Sequence, residues 1–270
     1  MSIDEWLMIA TKELVSADIQ SARLDAELIL SHTLHKPRTY LHAHGDEELD
    51  DRREEVANAR LQMRIERTPV AYIVGHKEFY GRQFKTTPAA LIPRPESETI
   101  IDLLKEIFTT VPSKMDLLDV GTGTGCLGIT AKLEWPELKV TLTDDSQHAL
   151  NLARKNARLL GAEANFIKNN LLRGFTVPAD IIIANLPYVN QTWEVSPETK
   201  SEPDEALFAR NEGLDLIFQL IEQATLILAT GGHLLLESDK RQHADIVAFA
   251  EQHGFTHRKT SGLITYFVQP

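Results

Sequence analysis

The sequence has 270 residues, 43% of them hydrophobic and 25% charged, enough apolar mass for one large domain or two smaller ones. A formal net charge of −11 excludes broad electrostatic binding of DNA or RNA, which needs clustered Lys and Arg, though it leaves room for a local basic patch. The single cysteine, Cys126, excludes a disulfide within the chain, no apolar run approaches the ~20 residues of a membrane span, and Met1-Ser2-Ile3-Asp4-Glu5 lacks the features of a signal peptide, so a cytoplasmic protein without membrane contact is expected.

Residues 1–72 read as a small helical bundle. Ser2 and Glu5 fit a capping box that opens a first helix with Trp6, Ile9, Ala10 and Leu14 on one face. Ser21 is placed to cap a second helix carrying Leu24, Leu28 and Leu34. Pro37 and Gly45 bracket a short third segment, and a long charged helix from Leu49 to Arg67 has Val56 and Met63 in its apolar stripe. No polar cluster there points to chemistry, so docking is a better expectation than catalysis.

Residues 73–95 form a connector. Phe79 to Lys85 suggests a hairpin around Gly81, and Leu91-Ile92-Pro93-Arg94-Pro95-Glu96 cannot be a helix interior. Residues 96–270 then alternate strands and helices, after a helix from Glu96 to Phe108. Strands are expected at Asp116–Val120, Val140–Thr143, Asn165–Ile167, Asp180–Ala184 and His233–Leu236, with helices at Leu127–Leu133, Gln147–Leu160, Leu214–Ala229 and Arg241–His253. Thr256–Lys259 and Leu263–Val268 suit a terminal antiparallel pair. The pattern predicts an α/β fold with a doubly wound, mostly parallel sheet covered on both faces.

Gly121-Thr122-Gly123-Thr124-Gly125 follows the first strand of this region and opens a helix. Asp144, about 20 residues on at the end of the next strand, is placed to accept hydrogen bonds from ribose hydroxyls, with Asp145 as an alternative. An adenosine-containing cofactor is implied. The spacing is Gly-x-Gly-x-Gly and not the Gly-x-Gly-x-x-Gly of a dinucleotide fingerprint, although Gly128 nearby blurs the distinction. Asp119 before the glycines suits a cofactor with an ammonium and a sulfonium, S-adenosylmethionine, or else caps the turn. Asn170 and Leu171 after the third strand either meet an adenine or form a plain polar loop. Cys126 reads as a packed small residue, and His32, His42, His44 and His76 have no metal-ligand spacing, so no metal is expected.

Asn185-Leu186-Pro187-Tyr188 ends the apolar strand beside the glycine loop. A planar NH2 group is a poor nucleophile because its lone pair is delocalised. The Asn185 side-chain oxygen and the Leu186 carbonyl could accept its two N–H bonds and aim it, with Tyr188 as a wall.

These residues resemble the peptide chain release factor N(5)-glutamine methyltransferases, class I S-adenosylmethionine-dependent enzymes. The resemblance covers nearly the whole chain: Ala22-Arg23-Leu24-Asp25-Ala26-Glu27-Leu28, Pro69 to Gly75, Glu78-Phe79-Tyr80-Gly81, Leu91 to Glu98, the glycine loop, and Glu202-Pro203 with Gly213-Leu214-Asp215. It implies a seven-stranded methyltransferase sheet at 96–270, a release-factor docking role for 1–72, and a monomer. It further implies methylation of the glutamine in the Gly-Gly-Gln loop, with S-adenosylhomocysteine as product. By the same resemblance Gly121, Thr122, Gly123, Thr124, Gly125, Asp144, Asn170, Leu171 and Asn185 hold the cofactor, Asn185, Leu186, Pro187 and Tyr188 hold the glutamine, and Asn185, Pro187 and Tyr188 serve catalysis.

Three features depart from the family pattern. Leu186 stands where a proline is usual, Ala209-Arg210-Asn211-Glu212 where glycines precede Gly-Leu-Asp, and Gly262-Leu263-Ile264-Thr265 where Gly-Arg-Asp-Arg is usual. Asn-Leu-Pro-Tyr is also the form found in rRNA adenine-N(6) dimethyltransferases, whose target amine has the same planar geometry. Adenine methylation of rRNA or DNA is thus the alternative, opposed by the acidic charge. A non-enzymatic cofactor-binding scaffold is a third class, opposed by the intact Asn185.

Overall fold

The computed structural model describes residues 1–112 and 114–270. Two compact units are present: Met1–His76 with Val195–Ser201, and Lys77–Glu194 with Glu202–Pro270.

The first unit is helical, with α1 (Ile3–Ser16), α2 (Ala22–Leu34), α3 (Arg38–Ala43), α4 (Asp51–Ile65) and α5 (Val70–Val74). The expected capping box is present: Ser2 Oγ accepts from the Glu5 amide at 3.2 Å and Glu5 Oε2 from the Ser2 amide at 2.9 Å. Ser21, in contrast, makes no side-chain cap; its hydroxyl donates to Asp25 Oδ2 at 2.9 Å. The core is built on Trp6, Leu7, Leu14, Ile29, Leu30 and Leu61. The expected stripe of α4 is wrong: Val56 and Met63 are exposed, and Ala57, Leu61 and Arg64 face inward. Ile9 and Leu24 are likewise exposed. Arg64 is drawn in by carboxylates, donating from Nε to Asp25 Oδ2 at 2.7 Å and from a terminal nitrogen to Glu198 Oε1 at 3.0 Å. A buried charge is tolerated when paired in this way.

The second unit opens with the hairpin strands β1 (His76–Phe79) and β2 (Arg82–Lys85), joined through Tyr80 and Gly81, both at positive φ. That is the backbone required by a tight two-residue hairpin turn. A 3₁₀ turn at Pro95–Ser97 leads into α6 (Glu98–Ile107). Then follow β3 (Asp116–Val120), α7 (Cys126–Glu134), β4 (Lys139–Asp144), α8 (Gln147–Leu160), β5 (Asn165–Lys168) and β6 (Ala179–Ala184). The chain continues through the two-residue strands β7 (Val189–Asn190) and β8 (Phe208–Ala209), then α9 (Asp215–Ile227), β9 (Leu228–Glu237), α10 (His243–Gln252), β10 (Thr256–Ser261) and β11 (Ile264–Val268). None of these helices is long and apolar enough to cross a membrane.

Seven strands form one sheet in the order β10-β11-β9-β6-β3-β4-β5. The pairs from β9 to β5 are parallel, and β11 is antiparallel to both β9 and β10. Residues on β6 alternate between two cores. Ile181 and Ile183 join Ile100, Leu117, Ile129 and Leu142, whereas Ile182 and Ala184 join Ile217, Leu234 and Ile246. Burial on both faces explains why this strand is apolar throughout. The chain order reverses at β3, which has β4 on one side and β6 on the other, and such a switch point opens a ligand crevice at the strand ends.

Candidate active site

At that switch point a cavity of about 620 Å³ is lined by Gly121, Gly123, Asp144, Asn170, Leu171 and Asn185, together with Leu186 and Pro187. This is the size of a site for a cofactor-sized ligand. Six of the nine expected cofactor residues and three of the four expected acceptor residues therefore share one chamber.

The glycine loop is tied to β4: the amides of Gly121 and Thr122 both donate to the Thr143 carbonyl at 2.9 Å. Gly121 has φ +71°, and a Cβ there would lie 2.7 Å from Leu186 Cδ2. The missing side chain makes room for Leu186 as well as for the turn. Thr122 and Thr124 are buried, and neither they nor Gly125 are among the residues lining the cavity. Gly125 takes the left-handed N-cap position of α7.

Asp119 faces inward and is only 1% exposed. Its Oδ2 accepts from the Thr122 hydroxyl at 2.5 Å and the Gly128 amide at 2.9 Å, so it braces the turn and does not face the cavity. Burial pushes its pKa up to about 6, against the pull of those two donors. Cys126 is also held inert: burial of the thiol pushes it up to about 12, so it carries no thiolate at neutral pH.

Asp144 accepts from the Gly123 amide through Oδ2 at 2.9 Å and from the Ser146 amide through Oδ1 at 2.8 Å. Each carboxylate oxygen keeps a second lone pair, and the group faces the cavity. Burial raises its pKa, and the two amides oppose the rise. Asp145 lines the same cavity but is exposed and accepts from Asn170 Nδ2 at 3.2 Å. Leu171 is buried in the left-handed region at φ +51°, an uncommon conformation for a branched residue, which turns it into the cavity wall.

Asn185 donates from Nδ2 to Ser97 Oγ at 3.0 Å, and no donor reaches its Oδ1 among the described residues. Tyr188 is outside the cavity lining; its hydroxyl donates to Glu237 Oε1 at 3.3 Å. Burial and the neighbouring Glu237 push the Tyr188 phenol well above its ordinary value. Glu237, 1% exposed at the end of β9, is pushed up to about 7 by burial, opposed by Ser97, Tyr188 and Asn185. The sequence reading missed Glu237 and Ser97, and it missed the cavity residues Ala90, Leu91, Glu205 and Leu216. An acid ending a run of buried leucines, on the strand beside Asn185, is the signal that marks Glu237.

The glycines, a ribose-type acid and an apolar wall fit S-adenosylmethionine, and the sheet order defines the chain as a class I methyltransferase fold. A methyltransferase from Pyrococcus furiosus superposes with a TM-score of 0.54 at 18% identity, covering 78% of this chain and 97% of that one. A 16S rRNA methyltransferase from T. thermophilus gives 0.54 at 16%, covering 72% of this chain and 50% of that one. Residues 5–75 match the PrmC N-terminal domain, and residues 97–201 the methyltransferase small domain. The chain is 37% identical to the release factor glutamine methyltransferase of Deinococcus radiodurans, covering 92% of this chain and 90% of that protein. It is 34% identical to that of Neisseria gonorrhoeae, with 95% and 91% covered. The chain belongs to the release factor glutamine methyltransferase family.

Proposed function

We propose that this protein transfers a methyl group from S-adenosylmethionine to the side-chain amide nitrogen of the glutamine in the Gly-Gly-Gln motif of peptide chain release factors. The observation that carries this reading is the Asn185 amide. Its nitrogen is engaged by Ser97, and its oxygen is left for an incoming NH2 group in a cavity it shares with Gly121, Gly123 and Asp144.

In this reading Asp144 holds the ribose, the glycine loop lets the backbone approach the methionine part, and Asn170 and Leu171 meet the adenine. S-adenosylmethionine supplies an electrophilic methyl group on a sulfonium. Asn185 Oδ1 and the Leu186 carbonyl each accept one N–H of the glutamine amide and aim its nitrogen. As that nitrogen commits its lone pair, positive charge grows on it and its N–H bonds become stronger donors. The two acceptors then bind the transition state more tightly than the ground state. Pro187 stiffens the turn that presents them. Tyr188 backs the turn from below while Glu237 holds its hydroxyl. The helical unit, in this reading, docks the release factor, which acts in the cytoplasm.

The test incubates the protein with methyl-labelled S-adenosylmethionine and, separately, a release factor and rRNA. Label in the Gly-Gly-Gln peptide is expected. Label in rRNA alone would transfer the assignment to adenine.

A further inference from the structure

We infer that Glu237 is a positioning residue for methyl transfer, acting together with Ser97 to hold the Asn185 side chain with its oxygen toward the cavity. This inference rests on the activity proposed above and extends it to a carboxylate that touches neither substrate nor cofactor.

The argument starts from a symmetry in asparagine. Its amide oxygen and nitrogen have nearly the same shape, so packing alone cannot choose which one faces the cavity. Only the oxygen can accept from a glutamine NH2. A hydroxyl partner does not settle the choice, because Ser97 can donate or accept. An ionised carboxylate accepts only, the state Glu237 takes as pH rises above about 7. Glu237 is 1% exposed and Ser97 is 1% exposed, and both lie against the half-buried Asn185.

Among the groups that favour the charged form of Glu237, Ser97 is the largest, followed by Tyr188 and Asn185. The Tyr188 hydroxyl, 3.3 Å from Oε1, is the one donor in full hydrogen-bond geometry, and Oε2 has no such partner among the described residues. With its proton turned toward the carboxylate, Ser97 Oγ keeps its lone pairs for Asn185 Nδ2, found at 3.0 Å. The carboxylate, which the Asn185 amide also approaches directly, thus favours the amide nitrogen on its own side and leaves the oxygen for the cavity. The same carboxylate steadies Tyr188, two residues after the Leu186 carbonyl.

The placement follows from the sheet. β6 and β9 are parallel neighbours, with Ala184 opposite Leu236, so the residues that follow, Asn185 and Glu237, leave the sheet side by side. Ser97 arrives at the same point from the proline segment that precedes α6. The remaining charged groups around the cluster are Glu96, which faces Glu237, and Arg94 and Asp239, which face Tyr188. None of them supplies Asn185 with an acceptor-only partner at hydrogen-bond distance among the described residues.

The test measures methyl transfer to a release factor, at a pH about 1.5 units above the raised Glu237 value so that its carboxylate is ionised, by the full-length protein and its Glu237→Gln, Ser97→Ala and Ser97→Thr variants. Glutamine keeps the shape of Glu237 but can donate, which permits the flipped amide. Glu237→Gln should lower kcat by about 10- to 100-fold, the range expected when one oriented hydrogen bond is lost. The KM for the release factor and the Kd for S-adenosylmethionine should stay near wild type. Ser97→Ala should lower kcat in the same way and Ser97→Thr should restore it, which decides the matter if Glu237→Gln fails to fold. A kcat within about twofold of wild type in both Glu237→Gln and Ser97→Ala would overturn the inference. A parallel loss of cofactor affinity would overturn it too, since that would mark a structural role only. Failure of the wild-type protein to methylate the release factor would remove the underlying reading, and this inference with it.

Discussion

Replacing Asn185 with alanine tests the proposed acceptor half of the site. The wild-type side chain is half-buried and its nitrogen is fixed by Ser97 at 3.0 Å, so Oδ1 is oriented before substrate arrives. A hydrogen bond to a group with developing charge contributes ~1.5–3 kcal/mol, and loss of a preorganised donor or acceptor at a reacting centre costs up to ~4 kcal/mol. The expected loss in kcat is therefore about 10²- to 10³-fold. The variant also removes one donor from the neighbourhood of Glu237, so its carboxyl should titrate still higher. Gly121, Gly123 and Asp144 are untouched, and the Kd for S-adenosylmethionine by calorimetry should change less than about threefold. Single-turnover transfer of labelled methyl to a release factor measures the loss. A rate within about threefold of wild type would refute the amide-grip mechanism.

Asp144→Ala should act in the opposite order, weakening S-adenosylmethionine by about 10- to 100-fold through loss of charge-assisted hydrogen bonds. Unchanged affinity in calorimetry would remove Asp144 from the cofactor site. The folded protein should become less stable as pH rises from about 4 to 7, as far as Asp119 is concerned, because a raised pKa means the native state keeps a proton that the unfolded chain gives up. Stability from this source is present in full below the unfolded pKa and is lost as pH rises through the folded value of about 6. Urea unfolding of wild type and Asp119→Asn at pH 4 and pH 8 should thus show the variant gaining on wild type at the higher pH, and equal pH slopes would contradict it. Gly213→Ala should lower both the melting temperature and the rate, since φ there is +87° and a Cβ would stand 2.0 Å from the Tyr188 carbonyl oxygen. A melting curve and rate like wild type would show that this close approach is not needed.

Strand and helix placement in the sheet region was legible because burial on both faces leaves a continuous apolar run, as at Ile181 to Ala184, and because caps such as Ser146 mark the start of α8. That Gly121, Gly123, Asp144 and Asn185 come together was legible for the same reason: their positions follow from the strands they end. The helical unit was harder. The face of α4 depends on Arg64, and partners as distant in sequence as Asp25 and Glu198 explain why an arginine turns inward while Val56 and Met63 face out. The turn-bracing role of Asp119 was visible only as one of two options, since the direction of a side chain at a strand end depends on Thr122 and Gly128 together. Glu237 was not legible as a partner of Asn185 until the order of strands set β9 beside β6.

The proline-rich segment before α6 and the acidic residue that follows the Val195–Ser201 loop are two halves of one clasp. Glu202, 6% exposed, accepts from the Ile92 amide at 3.0 Å and from Arg94 across 108 residues of sequence. Neither half is therefore an interchangeable module. A variant that replaced Arg94 would leave a buried carboxylate without its cation, and one that replaced Glu202 would leave the Ile92 amide and Arg94 without their acceptor.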